Sequence, residues 1–318
     1  MLNFKNFVQE VAEQTKKQPP VSDCQICVSE IIKNNHTAKC TLQIKKEGCT
    51  IAPNFYLDGY YEAYKEGKTV EEIGEMIWEH YRQFADNYDG SYGFDADRDW
   101  IQNHVVYRIV NKDANEEMLK ETPHIVLEDL AIVFYLLVEQ QQQQIASIRI
   151  SYSFLGQLGL QEEELLALAD KNARRLFPVY FAPITETICH FDGETGNAYV
   201  FFAEEEDADY ARQREFLESV IKEESVSPFF VLTNASGING ASVMLYSHVL
   251  KQIAEILESN LYIIPSSIHE VLVIPWGTLA KSDINAMIQT VNANMILKEE
   301  ILSDHVYIYD PVLEQITC

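Results

Sequence analysis

The stretch Val126–Phe154, VLEDLAIVFYLLVEQQQQQIASIRISYSF, decides the fold class. Val126 to Val138 is strongly apolar and of strand length, so it reads as one buried strand. Gln140–Gln144 is a polar tract, and Ile145 to Phe154 then alternates apolar with polar residues. A strand, a polar break and a returning alternation predict an antiparallel hairpin across the glutamines. The pattern recurs nearer the N terminus, where Cys24–Ile32 and Thr37–Lys46 alternate on either side of Lys33-Asn34-Asn35.

Outward from these hairpins, helical periodicity takes over. Leu2, Phe4, Phe7, Val8 and Val11 share one face of an N-terminal helix. Thr69, with Glu72 three residues on, forms a capping box ahead of a helix whose apolar face is Val70, Ile73, Ile77, Trp78 and Tyr81. Further helices are expected over Tyr60–Glu66, Asn115–Glu121, Gln161–Leu176, Arg212–Glu223, His248–Ser259 and Ser282–Met295. Strands are expected at Cys49–Leu57, His104–Val110, Phe229–Thr233, Ala241–Tyr246, Leu261–Ile264, Ile268–Ile274 and His305–Tyr309. This irregular alternation, with neighbouring strands joined by hairpin-length turns, argues for an α+β protein with mainly antiparallel sheets and flanking helices. A change of character over Phe191–Ser227, including the acidic run Glu204–Asp209, divides the chain. The expected organisation is an N-terminal region over 1–190, an acidic linker or insertion over 191–227 and a C-terminal region over 228–318.

Composition narrows the function. The chain has 318 residues, 47% of them hydrophobic, which suffices for a folded core. Its 24 Lys and Arg face 49 Asp and Glu, a net charge of −25. Nucleic-acid binders cluster cations against phosphates, and the densest basic runs here are pairs such as Lys16-Lys17 and Arg174-Arg175. No nucleic acid and no anionic membrane is expected as a partner. The plain reading of the acidity is solubility; the sharper one is a basic protein partner. No leader-like apolar run opens the chain and no stretch reaches membrane-span length, so a cytoplasmic protein is expected.

Most motifs that suggest chemistry fail on their own terms. Cys24-x-x-Cys27, with His36, Cys40 and Cys49, has the composition of a zinc site, but an alternating strand sends Cys24 and Cys27 to opposite faces. Asp95-x-Asp97-x-Asp99 begins like a calcium loop, yet Trp100 and Val106 stand where Gly and Glu are needed. Phosphate-binding loops and nucleophile elbows are absent from the sequence. No metal and no cofactor is implied.

Two polar stretches remain. Pro265-Ser266-Ser267-Ile268-His269-Glu270 sets hydroxyls, an imidazole and a carboxylate between apolar strands. Strand alternation places Ser267 and His269 on one face and Ser266 and Glu270 on the other. His269, Glu270 and Ser267 are the candidate catalytic residues, His269 because imidazole titrates closest to neutrality. Asn234, Ser266, Asp304 and His305 are the candidate ligand-binding residues. The bland alternative is that these groups close turns and satisfy buried backbone. A shared concave pocket for Ser267, His269, Asn234 and Asp304 separates the two.

Several segments resemble a known family: Phe55-Tyr56-Leu57 with Tyr60-Tyr61-Glu62-Ala63-Tyr64, Asp129 to Tyr135, Leu232-Thr233-Asn234 with Gly240-Ala241, Ile264 to Val271, and Leu302 to Tyr307 with Tyr309-Asp310. Together they are similar to a family of unknown function from gut Clostridia and related Firmicutes, marked by P-S-S-I-H-E and L-S-D-H-V-Y. The resemblance implies a cytoplasmic bacterial protein and no particular reaction. The expected function is a non-catalytic interaction or regulatory role, engaging a basic partner through Glu204–Asp209. The alternative is an enzyme or small-ligand binder with a Ser/His/Glu/Asp site in the C-terminal region.

Overall fold

The computed structural model describes residues 1–17, 23–47, 52–87, 98–141, 144–185, 210–223 and 227–318. They form an α+β protein of two compact units, Met1–Asp97 and Arg98–Cys318.

The first unit comprises α1 (Phe4–Lys17), β1 (Cys24–Lys33), β2 (Thr37–Lys46), β3 (Asn54–Tyr56), α2 (Leu57–Lys65) and α3 (Val70–Asn87). β1 and β2 pair antiparallel from Cys24↔Lys46 to Lys33↔Thr37, and β3 joins the far side of β2. The connection is tight enough to hold Asn35 and His36 at positive φ. Phe7 and Val11 of α1, Leu42 and Ile44 of β2, and Ile73, Ile77 and Trp78 of α3 make the core. The capping box forms: Thr69 N–H donates to Glu72 Oε2 at 2.7 Å, and Glu72 N–H to Thr69 Oγ1 at 3.2 Å. Accepting the Thr69 bonds holds the Glu72 carboxyl below its usual range. On β1, Cys27 is exposed while Cys24 is half-buried against the Tyr81 hydroxyl. The strand expected over Cys49–Leu57 is only Asn54–Tyr56, with Leu57 already starting α2. Cys49 and Asp95–Asp97 lie outside the described residues.

The second unit carries two sheets. A four-stranded sheet is built on β6 (Leu130–Gln141), with β4 (Val105–Asn111) along one side and β5 (His124–Leu127) and β7 (Gln144–Arg149) along the other. A six-stranded sheet has the order β13 (Gln315–Thr317), β12 (Tyr307–Asp310), β10 (Leu261–Pro265), β11 (Val271–Pro275), β9 (Phe230–Asn234) and β8 (Val179–Pro183). Every pairing in both sheets is antiparallel. The helices among the described residues are α4 (Arg98–His104), α5 (Glu116–Leu119), α6 (Tyr152–Leu158), α7 (Glu162–Leu176), α8 (Tyr210–Glu223), α9 (Ser247–Leu257) and α10 (Lys281–Asn294). The six-stranded sheet draws strands from both sides of the 191–227 segment, since β8 pairs with β9 from Val179↔Asn234 to Pro183↔Phe230. Of that segment the structure describes only α8 and Ser227; Glu204–Asp209 lies outside the described residues.

The hairpin across the glutamines forms, with Gln141 opposite Gln144. Val126–Val138, expected as one strand, is divided between two. A two-residue turn at Glu128-Asp129 brings Leu127 opposite Leu130, with Glu128 in the left-handed region at φ 54°. The returning strand stops at Arg149, because the Ser151 hydroxyl accepts from Phe154 N–H and starts α6. Ala241–Tyr246, expected as a strand, lies on a 3₁₀ turn, Gly240–Leu245. No helix among the described residues is long and apolar enough to cross a membrane.

Candidate ligand site

The strand expected over Ile268–Ile274 begins only at Val271, so Ser266–Glu270 is a loop linking β10 to β11. Strand alternation therefore does not apply to Ser267 and His269. Ser267 is buried, and its Oγ accepts from His269 N–H at 3.0 Å. Ser267 N–H donates to the Glu270 carbonyl, and the Ser266 hydroxyl donates to Glu270 Oε1 at 3.2 Å. On the imidazole, Nδ1 accepts from Asn239 N–H at 3.2 Å and Nε2 lies 3.7 Å from Glu300 Oε1. An acceptor at Nδ1 puts the proton of the neutral ring on Nε2. The Ser267 hydroxyl and the imidazole thus have different partners, and among the described residues no hydrogen bond joins the two.

The Ser266–Glu270 loop interlocks with the loop that follows β9. Thr233 Oγ1 donates to the His269 carbonyl at 2.6 Å, and Ala241 N–H donates to the Ile268 carbonyl at 3.3 Å. Asn234 is buried and folds its own loop: Nδ2 donates to the Ile238 carbonyl at 2.9 Å, and Oδ1 accepts from Ser236 N–H at 3.0 Å and Ser236 Oγ at 2.7 Å. Gly240 is required between the two loops. A Cβ there would fall 2.0 Å from Thr233 Oγ1 and 2.6 Å from the His269 carbonyl oxygen.

This pinned loop forms one wall of a narrow cleft. Asn234, Ile238, Asn239, Ser242, Val243 and Tyr246 line it, together with Tyr107 and Arg108 of β4. Ile145, Ala173 and Phe177 complete it. Tyr107 and Tyr246 are buried, their rings set edge to face at 6.4 Å. Tyr107 hydrogen-bonds Asp170, and Tyr246 donates to the Phe177 carbonyl. Burial raises both phenols above the ordinary tyrosine value. Asn234 lines the cleft, and His269 reaches it through Asn239.

Asp304 and His305 belong to a different cluster. Both are exposed, and Asp304 accepts from Asn292 Nδ2 at 2.8 Å. His305 N–H donates to Ser303 Oγ at 3.0 Å. Ser303, buried, donates to Asp129 Oδ2 at 2.6 Å, and the Tyr307 hydroxyl donates to Asp129 Oδ1. Asn111 Nδ2 also reaches back to the Leu302 carbonyl at 3.2 Å. This network ties the Glu128-Asp129 turn of one sheet to the entry of β12 in the other. Burial and the Asp129 bond raise the Tyr307 phenol.

Sequence reasoning did not single out Arg108, and it read Asn239 as turn chemistry within Asn234–Asn239. A lone arginine within the apolar run Val105–Val110 was the available signal, since cations seldom enter buried strands without a task. Among the described residues no cluster of three or more His, Cys, Asp or Glu is arranged to hold a metal ion.

No curated protein and no solved structure matches the chain. A family model matches residues 4–311, almost from end to end, so this chain belongs to a family of unknown function, DUF5688.

Proposed function

We propose that this chain is a binding protein for a small ligand, held in the cleft between β4 and the 234–246 loop. The supporting observation is the way the cleft is fixed. One wall, a loop containing Ser236, Gly237 and Asn239, is locked by bonds to Asn234 and to His269 of the Ser266–Glu270 loop, which Thr233 holds in turn. Preorganisation of this kind lowers the ordering cost of binding. In this reading His269 positions Asn239, Asn234 braces the loop, and Ser266, Ser267 and Glu270 hold His269 in place. Asp304 and His305 play no part in the cleft. The setting is the one that the resemblance implies, the cytoplasm of a Firmicute.

The test is native mass spectrometry of the full chain purified from its own cells, beside an Ile238→Trp variant whose indole fills the mouth. A small molecule retained by the natural chain and lost from Ile238→Trp is the expected result. An empty natural chain, or equal retention by the variant, overturns the reading.

A further inference from the structure

We infer that the ligand of this cleft is an anion, a carboxylate or phosphomonoester on a small apolar body, with Arg108 as its counter-ion. The inference rests on the ligand-binding reading above and adds the chemical class.

The chain has twice as many acidic residues as basic ones, 49 against 24. Two other arginines of the second unit pair with carboxylates, Arg174 with Asp170 at 3.0 Å and Arg214 with Glu255 at 2.8 Å, while the exposed Arg175 donates to the Asn103 carbonyl. Arg108 makes no ion pair among the described residues. Its guanidinium lies 4.2 Å from the centroid of the Tyr135 ring, and its Nη2 donates to Ser147 Oγ at 2.7 Å. Both partners are neutral. Removal from water lowers the guanidinium pKa from the ordinary arginine value, the direction expected of a desolvated cation lacking a counter-charge. Stacking on Tyr135 and the bond to Ser147 hold the planar fork in one orientation, and such a fork matches carboxylate or phosphate oxygens in pairs.

Asn239 supplies a second recognition group in the same cleft. Its backbone is bound at both ends, N–H to His269 and carbonyl from Ser242, while its side-chain amide has no hydrogen-bond partner among the described residues. Ile145, Phe177, Ile238 and Val243 make the remaining lining apolar. A charged head beside an apolar body is the ligand that this lining fits.

The experiment is calorimetric titration of the full chain with benzoate, phenyl phosphate and neutral benzamide, at low and high salt. Binding of benzoate or phenyl phosphate, weakened by salt and absent for benzamide, is expected; which of the two wins distinguishes carboxylate from phosphate. Arg108→Gln should weaken that binding on the order of tenfold or more. Asn239→Asp, which suits the left-handed backbone and adds a repelling charge, should do the same and serves if Arg108→Gln fails to fold. Benzamide binding as well as the anions do, or full anion affinity in the folded variants, defeats the anion inference and leaves the cleft reading standing. Silence from all three probes, with an empty chain in the mass spectrum, defeats both.

Discussion

At Gly240 a single hydrogen in place of a side chain lets three backbone segments meet. The site that a Cβ would fill lies 2.7 Å from Asn234 N as well as against Thr233 and His269. Its φ is not in the left-handed region, so the constraint is space rather than backbone conformation. Two of the three contacts are main-chain atoms in hydrogen-bonded loops and cannot swing aside. Gly240→Ala should therefore destabilise the chain by about 1–3 kcal/mol, the usual cost of forcing atoms into a packed interior. It should also loosen the Asn239 wall. A urea midpoint equal to that of the natural chain would mean the loops part more easily than their bonds suggest. The contrast with His269 is instructive. The polar density of Pro265–Glu270 was legible in the sequence, as was the alternative that its groups serve backbone. What sequence could not give was the partner of each group: Asn239, Glu300 and Thr233 are 30, 31 and 36 residues away. Asn234 and His269 converge because β9 and β11 are paired, which no local pattern announces.

Elements were legible where one periodicity ran unbroken, as in α1, α3, α7, α9 and the β1–β2 pair. They were misread where a turn lacks its usual residue. The Glu128-Asp129 turn is such a case: two-residue hairpins of this handedness favour glycine at the first turn position, and Glu128 holds φ 54° there. Without glycine or asparagine the apolar run on either side read as continuous. Tertiary bonds stabilise the turn instead, because Ser303 and Tyr307 both donate to Asp129. A left-handed backbone costs a non-glycine residue about 1–2 kcal/mol. Glu128→Gly should thus raise stability by roughly 0.5–1 kcal/mol once the greater freedom of glycine in the unfolded chain is subtracted. Chemical denaturation checks this, and a loss of stability would show that Glu128 does more than occupy the turn. The 3₁₀ turn over Gly240–Leu245 was misread for a related reason. GASVML has a strand-like composition, but the space beside β9 and the Ser266–Glu270 loop forces the tighter path.

Across the molecule the buried phenols give alkaline pH a particular effect. Tyr107, Tyr246 and Tyr307 of the second unit are buried, and all three hydroxyls are raised above 10.0, chiefly by desolvation. In the first unit Tyr60 is pushed up to about 12 by burial. In each case the folded state favours the protonated phenol relative to the unfolded chain. That contribution is whole below the unfolded value near 10 and is lost as pH rises toward the folded value. The carboxylate partners reinforce the direction, since Asp129 faces Tyr307 and Asp170 faces Tyr107, and ionising either phenol would set two negative charges together. In a chain already at −25, repulsion adds to the same trend. Stability should therefore fall steeply above pH 10, with the buried phenols' share of the tyrosinate absorbance appearing only as secondary structure is lost. The Tyr107→Phe and Tyr307→Phe pair separates this from general repulsion. Removing both hydroxyls should lower stability at neutral pH, where their hydrogen bonds to carboxylates are lost, and flatten its decline above pH 10. An equally steep decline in the double variant would assign the alkaline loss to net charge and remove the phenols from the account.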